Sequence, residues 1–492
     1  MPDRRRMPPI VVWLRRDLRL GDNPAFAPSR ASDRAVIPLF IDDDGTDSVR
    51  ALGGAAKWWR GKSLAALDQA LRRCGSRLVI RRGSAKDILP AFMAEAGASA
   101  LSFNLSRDPA RMAEDTAIIA AMHARGIAVE THDANYLHDP AQLRTASGNA
   151  FKVFTPFWNR LAALYQPPAE HAAPLILPSP DAWPEGIAIA DMLVTDAWTK
   201  PLAAAWQPGE AAARKRLEEF AAGAVTGYAT QRDRPDVDGT SRLSPHLAWG
   251  EISVHEIWRL LHRRANNALG GKAMPFLREI GWRDFNMHLL ADFPALPWKP
   301  WQEKFAAFPA KDNAPALRAW RRGQTGYPIV DAGLRQLWQT GWMHNRVRMI
   351  AGSFLVKDLI IPWQRGEEWF WDTLVDADPA QNAGNWQWVA GCGADAAPFF
   401  RVFNPTLQGQ KFDPAGRYVR RWVPELAKLP DALIHEPWRA TGAQLAKAGI
   451  KLGRSYPAPM VDHAKARLAA LAAYQRLGKG GIADGDTQAS LL

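Results

Sequence analysis

The 492-residue chain has little cysteine. Its two cysteines, Cys74 and Cys392, stand far apart and in no metal-like spacing. That excludes a disulfide framework and a thiolate zinc site, and it fits a reducing compartment, so a cytoplasmic location is expected. No HExxH and no Cys/His cluster occurs, and no metal is expected. No Gly-x-Gly-x-x-Gly follows the first apolar run, so the dinucleotide fingerprint is absent. Gly61-Lys62-Ser63 has the form of the end of a phosphate loop. Yet Ala56 stands at the first glycine position, and a helical pattern precedes it. No stretch reaches membrane-spanning length without charges. The N-terminal MPDRRRMPPI is basic but has no apolar core, so no signal peptide is expected. Internal repeats and low-complexity tracts are missing too.

Acidic residues are in deficit. Sixty-two Lys and Arg against 50 Asp and Glu leave a net charge of +12 and a pI near 9.8. Such a chain calls for an anionic partner, nucleic acid first, although excess arginine also serves plain solubility. Hydrophobic content of 47% and charged content of 23% describe an ordinary globular protein, too long for one core. Tryptophan is the excess: 22 residues that fill cores, stack on bases or carry electrons.

Short apolar runs at Pro9–Leu14, Ala35–Ile41, Arg77–Ile80, Ala98–Phe103 and Ile127–Thr131 alternate with helical patterns at Ala51–Cys74, Ala85–Ala96 and Pro109–Arg125. Strand–helix alternation predicts an α/β domain over residues 7–133, with a doubly wound parallel sheet covered on both faces. Residues 134–208 carry Pro167, Pro168, Pro174, Pro178, Pro180 and Pro184, which predicts an extended connector. From 209 to 477 the pattern is all-α, ending in a helix over Asp462–Leu477 closed by Gly478. Residues 478–492 read as a disordered tail.

Four segments carry chemistry. In DADPAQNAGNWQWVAGCGADAAPFFRVFNP (376–405), Asp376 and Asp378 sit where a loop turns into a helix. Asn382 and Trp386 are four apart on that helix, and the Ala390–Ala397 run has almost no side-chain bulk to keep a flat ligand from the backbone. Plain helix–helix packing produces similar patterns. Thr240-Ser241-Arg242-Leu243-Ser244 precede an amphipathic run, Pro245–Leu261, placing hydroxyls at a helix N-terminus that suits anions or ordinary capping by Ser244. Glu279, Trp282, Arg283 and Asn286 share one helical face, where a Glu279–Arg283 surface pair is the simple expectation. Trp342, Asn345, Arg346 and Met349 are read as sharing another. His344 is read as satisfying local hydrogen bonds.

These segments, in this order and spacing over about residues 9–475, resemble the photolyase/cryptochrome family. Arg15-Arg16-Asp17-Leu18-Arg19-Leu20 with Asp22-Asn23-Pro24 is similar to its N-terminal signature. The resemblance implies FAD, held by Tyr228, Thr240, Ser241, Arg242, Leu243, Ser244, Arg283, Asp376, Asp378 and Asn382. It implies damaged DNA as partner, contacted by Glu279, Trp282, Asn345, Arg346 and Trp388, with a monomeric protein off the membrane. Glu279, Asn345, Asn382 and Met349 are the implied catalytic residues. The implied reaction is light-dependent splitting of cyclobutane pyrimidine dimers by electron transfer from photoexcited reduced FAD. The alternatives are a cryptochrome-type blue-light sensor and a (6-4) photoproduct photolyase. A short tail and Asn382 speak against the first, and Met349, where a histidine is expected, against the second.

Three departures stand out. Phe276 takes the place of a frequent tryptophan. Trp386 and Trp363 match the first two members of the family's electron chain, but Ala310 stands where the third tryptophan belongs, ten residues before Trp320. The first domain of the family holds a second chromophore, methenyltetrahydrofolate or a deazaflavin. Here the run Phe103-Asn104-Leu105-Ser106-Arg107-Asp108 lacks the glutamate or tyrosine of folate-type pockets and leaves that chromophore open.

Overall fold

The computed structural model describes residues 7–30, 34–46, 49–139, 142–264, 270–395 and 400–478. The tail expected at 479–492 lies outside the described residues. Five strands, β1 (Ile10–Leu14), β2 (Val36–Asp42), β3 (Val79–Arg82), β4 (Ala100–Asn104) and β5 (Ala128–His132), form one parallel sheet among the described residues, in the order β3-β2-β1-β4-β5. Strand periodicity sends alternate residues to opposite faces. Ile10, Val12 and Leu14 meet Trp58, Trp59, Leu64 and Leu71 of helix α1 (Gly54–Arg73). Val11 and Trp13 meet Leu89, Phe92, Ile118 and Met122 of α2 (Ala85–Glu95) and α3 (Pro109–His123). Burial on both faces explains why β1 and β2 read as unbroken apolar runs, while the edge strands β3 and β5 are partly exposed and carry polar residues.

The proline-rich stretch is not extended throughout. Helix α4 (Phe154–Leu164) buries Phe154, Phe157, Trp158 and Leu161, the stripe expected of a helix lying on a core. The prolines fall after it, in a non-helical segment tied to the sheet domain. Leu177 N–H donates to Cys74 O at 2.8 Å, Val36 N–H to Pro178 O at 2.9 Å and Ile187 N–H to Ile80 O at 2.9 Å.

The helical part continues with α5 (Glu210–Ala222), α6 (Val254–Arg264), α7 (Met274–Asp292), α8 (Pro328–Thr340), α9 (Asn345–Ser353), α10 (Trp363–Thr373), α11 (Pro379–Ala390), α12 (Pro405–Phe412) and α13 (His463–Gly478). Asp462 accepts from the N–H groups of Ala464 and Lys465 and so starts α13. The chain forms two compact units. The first runs to Pro297 and adds Gln336–Met343 and Glu368–Ala383; the second comprises Trp298–Arg335, His344–Glu367 and the chain from Gly384 onward.

Candidate active site

In the first unit, the N-terminal signature wires the carboxyl edge of the sheet to three loops. Asn104 Nδ2 donates to Asp17 Oδ2 (2.5 Å) and Asn23 Oδ1 (2.7 Å), and Arg15 forks onto Asp115 (2.6 and 3.0 Å). Buried Arg19 donates to Ala134 O (3.1 Å) and Gly250 O (2.9 Å). Arg16 donates to Ala248 O (3.1 Å) and Ala377 O (3.3 Å), the carbonyl between Asp376 and Asp378. Burial pushes the Arg16 guanidinium down, and Asp378 opposes that shift. The crevice between β1 and β4, where doubly wound sheets take ligands, is thus lined by polar groups already paired with one another.

The amphipathic run after Thr240 does not continue to Leu261 as one helix. It forms a single turn, Ser244–Ala248, then breaks before α6. Gly250 causes the break. Its φ is +61°, and a Cβ there would stand 2.0 Å from Arg16 O. Ser244 is not the cap either. It lies inside the turn, its Oγ donates to Asp376 Oδ2 at 2.6 Å, and Trp342 Nε1 donates to the same Oγ at 3.2 Å. Asp378 Oδ1 accepts from Ala380 and Gln381 N–H, both at 3.0 Å, and caps α11. Asn382, buried on that helix, follows one turn later.

Arg242 holds a left-handed backbone, φ 52°, with its guanidinium 5.4 Å from the Trp342 ring centre. Thr240 and Ser241 N–H groups find no acceptor among the described residues. Hydroxyls, unused N–H donors and an arginine in one turn match what a pyrophosphate needs, so these residues fit a dinucleotide such as FAD. Tyr228 is buried edge-on between Phe220 (5.7 Å) and Phe276 (5.4 Å), so phenylalanine supplies the aromatic wall at 276.

On α7 the expected Glu279–Arg283 pair is not formed. Glu279 accepts from Arg232. Arg283 donates to Asn135 O (2.5 Å) and Leu247 O (3.4 Å) and lies 4.2 Å over the Tyr136 ring, so a phosphate would share this guanidinium with carbonyls. Trp282 stacks on Phe154 at 3.8 Å and 11°. Asn286 turns to α11, donating to Gln381 Oε1 at 2.8 Å. Arg232 and Phe154 received no role from the sequence. Neither partner lies within a helical turn of the residue it holds, so no local spacing could reveal them.

In the second unit, α9 starts at Asn345, capped by His344, whose Nδ1 accepts from Arg346 N–H at 3.2 Å. Trp342 precedes this helix and shares no helical face with Asn345 and Met349, contrary to the periodic reading. Asn345 is exposed, and its Nδ2 lies 3.9 Å from Met349 Sδ. Arg346 rests 4.5 Å over Phe412 of α12. Trp386 is buried, and its ring lies on glycine: a Cβ at Gly366 would stand 2.0 Å from it. Gly366 belongs to α10, which opens with buried Trp363. Trp320 is a further neighbour of Trp386, at 6.2 Å.

The small-residue run Ala390–Ala397 serves the protein itself over its described part. Gly391, Cys392 and Gly393 N–H groups all donate to Gln387 O, and Gly391 abuts Phe400. Ala396 and Ala397 lie outside the described residues. Trp388 Nε1 donates to Asp395 O at 3.1 Å. Among the described residues no group of three or more His, Cys, Asp or Glu is placed to hold a metal, and no helix is long and apolar enough to cross a membrane.

Two family models match this chain: the FAD binding domain of DNA photolyase over residues 276–476, and DNA photolyase over residues 10–175. A deoxyribodipyrimidine photo-lyase of Agrobacterium fabrum is 48% identical, covering 96% of this chain and 98% of that relative. The chain belongs to the photolyase/cryptochrome family. The structure of a bacterial class III photolyase from Agrobacterium tumefaciens superposes with a TM-score of 0.94 at 47% identity, over 97% of this chain and 99% of that one. Cryptochrome-1 of Arabidopsis thaliana is 39% identical over 93% of this chain and 69% of its own length. The photolyase fold joins an α/β domain to a helical FAD-binding domain, as the sheet and the helices that follow it do here.

Proposed function

We propose that this protein is a light-dependent DNA repair enzyme, a deoxyribodipyrimidine photo-lyase acting on cyclobutane pyrimidine dimers. The observation that carries the reading is the cluster of Ser244, Trp342 and Asp376 beside the Thr240–Ser241 turn, in a chain whose full-length relatives bear that enzyme name. When bound, FAD supplies light-driven transfer of one electron to the dimer and its return.

The chain's own residues bind and orient. Thr240, Ser241, Arg242, Leu243 and Ser244 hold the pyrophosphate with N–H groups, hydroxyls and a guanidinium. Tyr228, Arg283, Asp376, Asp378 and Asn382 close the cofactor site, Asn382 with a neutral amide that donates or accepts without adding charge. A dimer disrupts stacking, so drawing it out of the duplex costs less than for an intact pair. Trp282, fixed on one face by Phe154, offers the other face for stacking. Glu279, oriented by Arg232, meets the base edge. Asn345, Met349 and Trp388 contact the lesion, and Arg346 holds a phosphate of the damaged strand. Trp386 and Trp363 relay electrons from the protein. Antenna domain 7–133, connector 134–208 and helical domain 209–477 remain the organisation we assign, in a cytoplasmic monomer. The test is dimer splitting in an oligonucleotide, in light and in darkness. A sensor leaves the dimer intact in both, and a (6-4) enzyme repairs only the other lesion.

A further inference from the structure

Two helices of the first unit carry aromatic stripes that the site has not used. Phe154, Trp158 and Tyr165, along α4 and at its end, recur at helical spacing and share one face. His255 and Trp258 stand one turn apart on α6. The two stripes meet. Trp158 and Trp258 ring centres lie 6.2 Å apart, and Trp258 meets Tyr165 edge-on at 4.8 Å. At the other end Phe154 lies 6.3 Å from Trp158 and 3.8 Å from Trp282. Trp158 also rests on α7 beside Trp282: a Cβ at Gly281 would stand 2.3 Å from its ring. These steps fall at or inside the ~4.5–7 Å of interacting aromatic pairs, so rings run unbroken from Trp282 to Tyr165.

The row ends on a hydrogen bond. With the imidazole proton on Nε2, Tyr165 O–H donates to His255 Nδ1 at 2.7 Å. Burial pushes the His255 pKa down to about 4, with Asp22 opposing and Arg19, Arg259 and His171 adding to the shift. The ring is therefore neutral at pH 7 and able to take a proton. Burial pushes the Tyr165 phenol up, so it does not ionise unaided. Trp158, Trp258 and His255 are buried, whereas Tyr165 is half-buried and within reach of water. Arg278 lies 5.5 Å from the Phe154 ring centre and 5.8 Å from that of Trp158, which makes a positive charge costly in the middle of the row. A tyrosine that loses its proton together with its electron carries no such charge.

We propose that Tyr165 is a redox-active residue that refills an electron hole at Trp282 through Trp158 and Trp258 and gives its proton to His255. This rests on the reading of Trp282 as part of the flavin and dimer site. Helix α7 is tied to that site through Gln381, the neighbour of Asn382, by bonds from Asn286 (2.8 Å) and to Arg283 O (2.9 Å). Trp282 loses one electron to photoexcited oxidised flavin and becomes a radical cation. The electron that refills it comes from Tyr165, handed on by Trp258 and Trp158. As Tyr165 gives it up, the phenolic O–H bond breaks and the proton moves to His255 Nδ1, leaving a neutral phenoxyl radical beside an imidazolium. The 2.7 Å separation is within direct proton-transfer reach. A dissolved one-electron reductant returns the electron at Tyr165, and His255 returns the proton.

The test uses the full FAD-loaded chain with ferricyanide keeping the flavin oxidised. Under blue light, electron paramagnetic resonance should show a tyrosyl radical in the wild type and in Trp363→Phe. Tyr165→Phe, which removes only the hydroxyl, should lose it, and Trp258→Leu, which cuts the row, should lose most of it, each with its flavin absorbance intact. Formation of the radical should be slower in D2O. In darkness, azidyl radicals from pulse radiolysis oxidise indoles without the flavin, and the phenoxyl growth that follows should be smaller in Tyr165→Phe. A wild type without a tyrosyl radical under either oxidant, or one whose radical survives Tyr165→Phe unchanged, overturns the proposal. A radical that survives Trp258→Leu unchanged overturns the route, and one that vanishes in Trp363→Phe assigns the hole to the other tryptophans. A Tyr165 radical under azidyl but not in light upholds the row and overturns the placement of Trp282 beside the flavin.

Discussion

The Glu279 carboxylate is held by the guanidinium of Arg232, not by Arg283 one turn away on its own helix. The pair is half-buried, so it orients more than it stabilises. Arg283 is drawn off by the carbonyls of Asn135 and Leu247. The acid proposed to read a base edge is therefore oriented by a segment 47 residues upstream.

Arg232→Met should lower the preference for dimer-containing over undamaged oligonucleotide by about 1.5 kcal/mol, roughly tenfold, the scale of one hydrogen bond to a charged group. Competition binding on the two oligonucleotides measures it. Equal losses on both would make Arg232 a phosphate contact.

The stack of Trp282 on Phe154 predicts a second selective loss. Trp282→Ala should cost roughly 1–3 kcal/mol of damaged-DNA affinity and leave undamaged DNA nearly unchanged. Phe154→Leu keeps an apolar residue in the core but removes the ring that holds the indole, so it should show a weaker version of the same selectivity loss. An Ala variant that loses both DNAs alike would reduce Trp282 to a core residue.

Arg346 is aligned by Phe412 and belongs to a chain of net charge +12. Arg346→Ala should weaken binding on all sequences and reduce the slope of log K against log salt by about one. A salt titration with an unchanged slope would remove Arg346 from the phosphate contacts.

The sheet was legible because its inner strands β1 and β2 are buried on both faces, which leaves unbroken apolar runs such as Ile10–Leu14 between helical patterns. Tertiary demands hid the rest. The break after Ser244 depends on Gly250 meeting Arg16 O, a contact spanning most of the first unit's sequence. The role of Gly366 depends on the Trp386 ring. The i, i+4 rule pointed Glu279 to Arg283 because no local spacing registers Arg232. Helix α4 escaped notice because the prolines that follow it set the character of the whole stretch.

Lys357 lies buried in the π-helical turn Phe354–Asp358, its ammonium donating to Arg401 O and lying 4.5 Å from the Phe400 ring. Burial pushes its pKa down to about 7, with Cys392 and Asp358 opposing the shift and Arg401 adding to it. The unfolded chain holds this proton to about pH 10, so it binds more protons than the native state above pH 7. Stability therefore rises as pH climbs from about 7 to 8.5, by at most about 1.4 kcal/mol per unit. From about pH 8.5 to 10 the slope flattens, because burial pushes Cys392 up to about 12 and the native state holds that proton while the unfolded chain holds the lysine proton; above about pH 10 the sign reverses. Urea midpoints should trace the rise in the wild type and lose it in Lys357→Met. The same slope in both would place the titration elsewhere.

Dimer content before and after illumination decides whether the protein splits cyclobutane dimers in light. The FAD-loaded, chemically reduced chain is mixed with an oligonucleotide bearing one thymine dimer and exposed to blue or near-UV light. Chromatography should show intact thymines appearing in light and none in darkness, with a (6-4) photoproduct oligonucleotide unchanged. A dimer that persists under illumination, with FAD bound and DNA saturated, would rule out dimer repair.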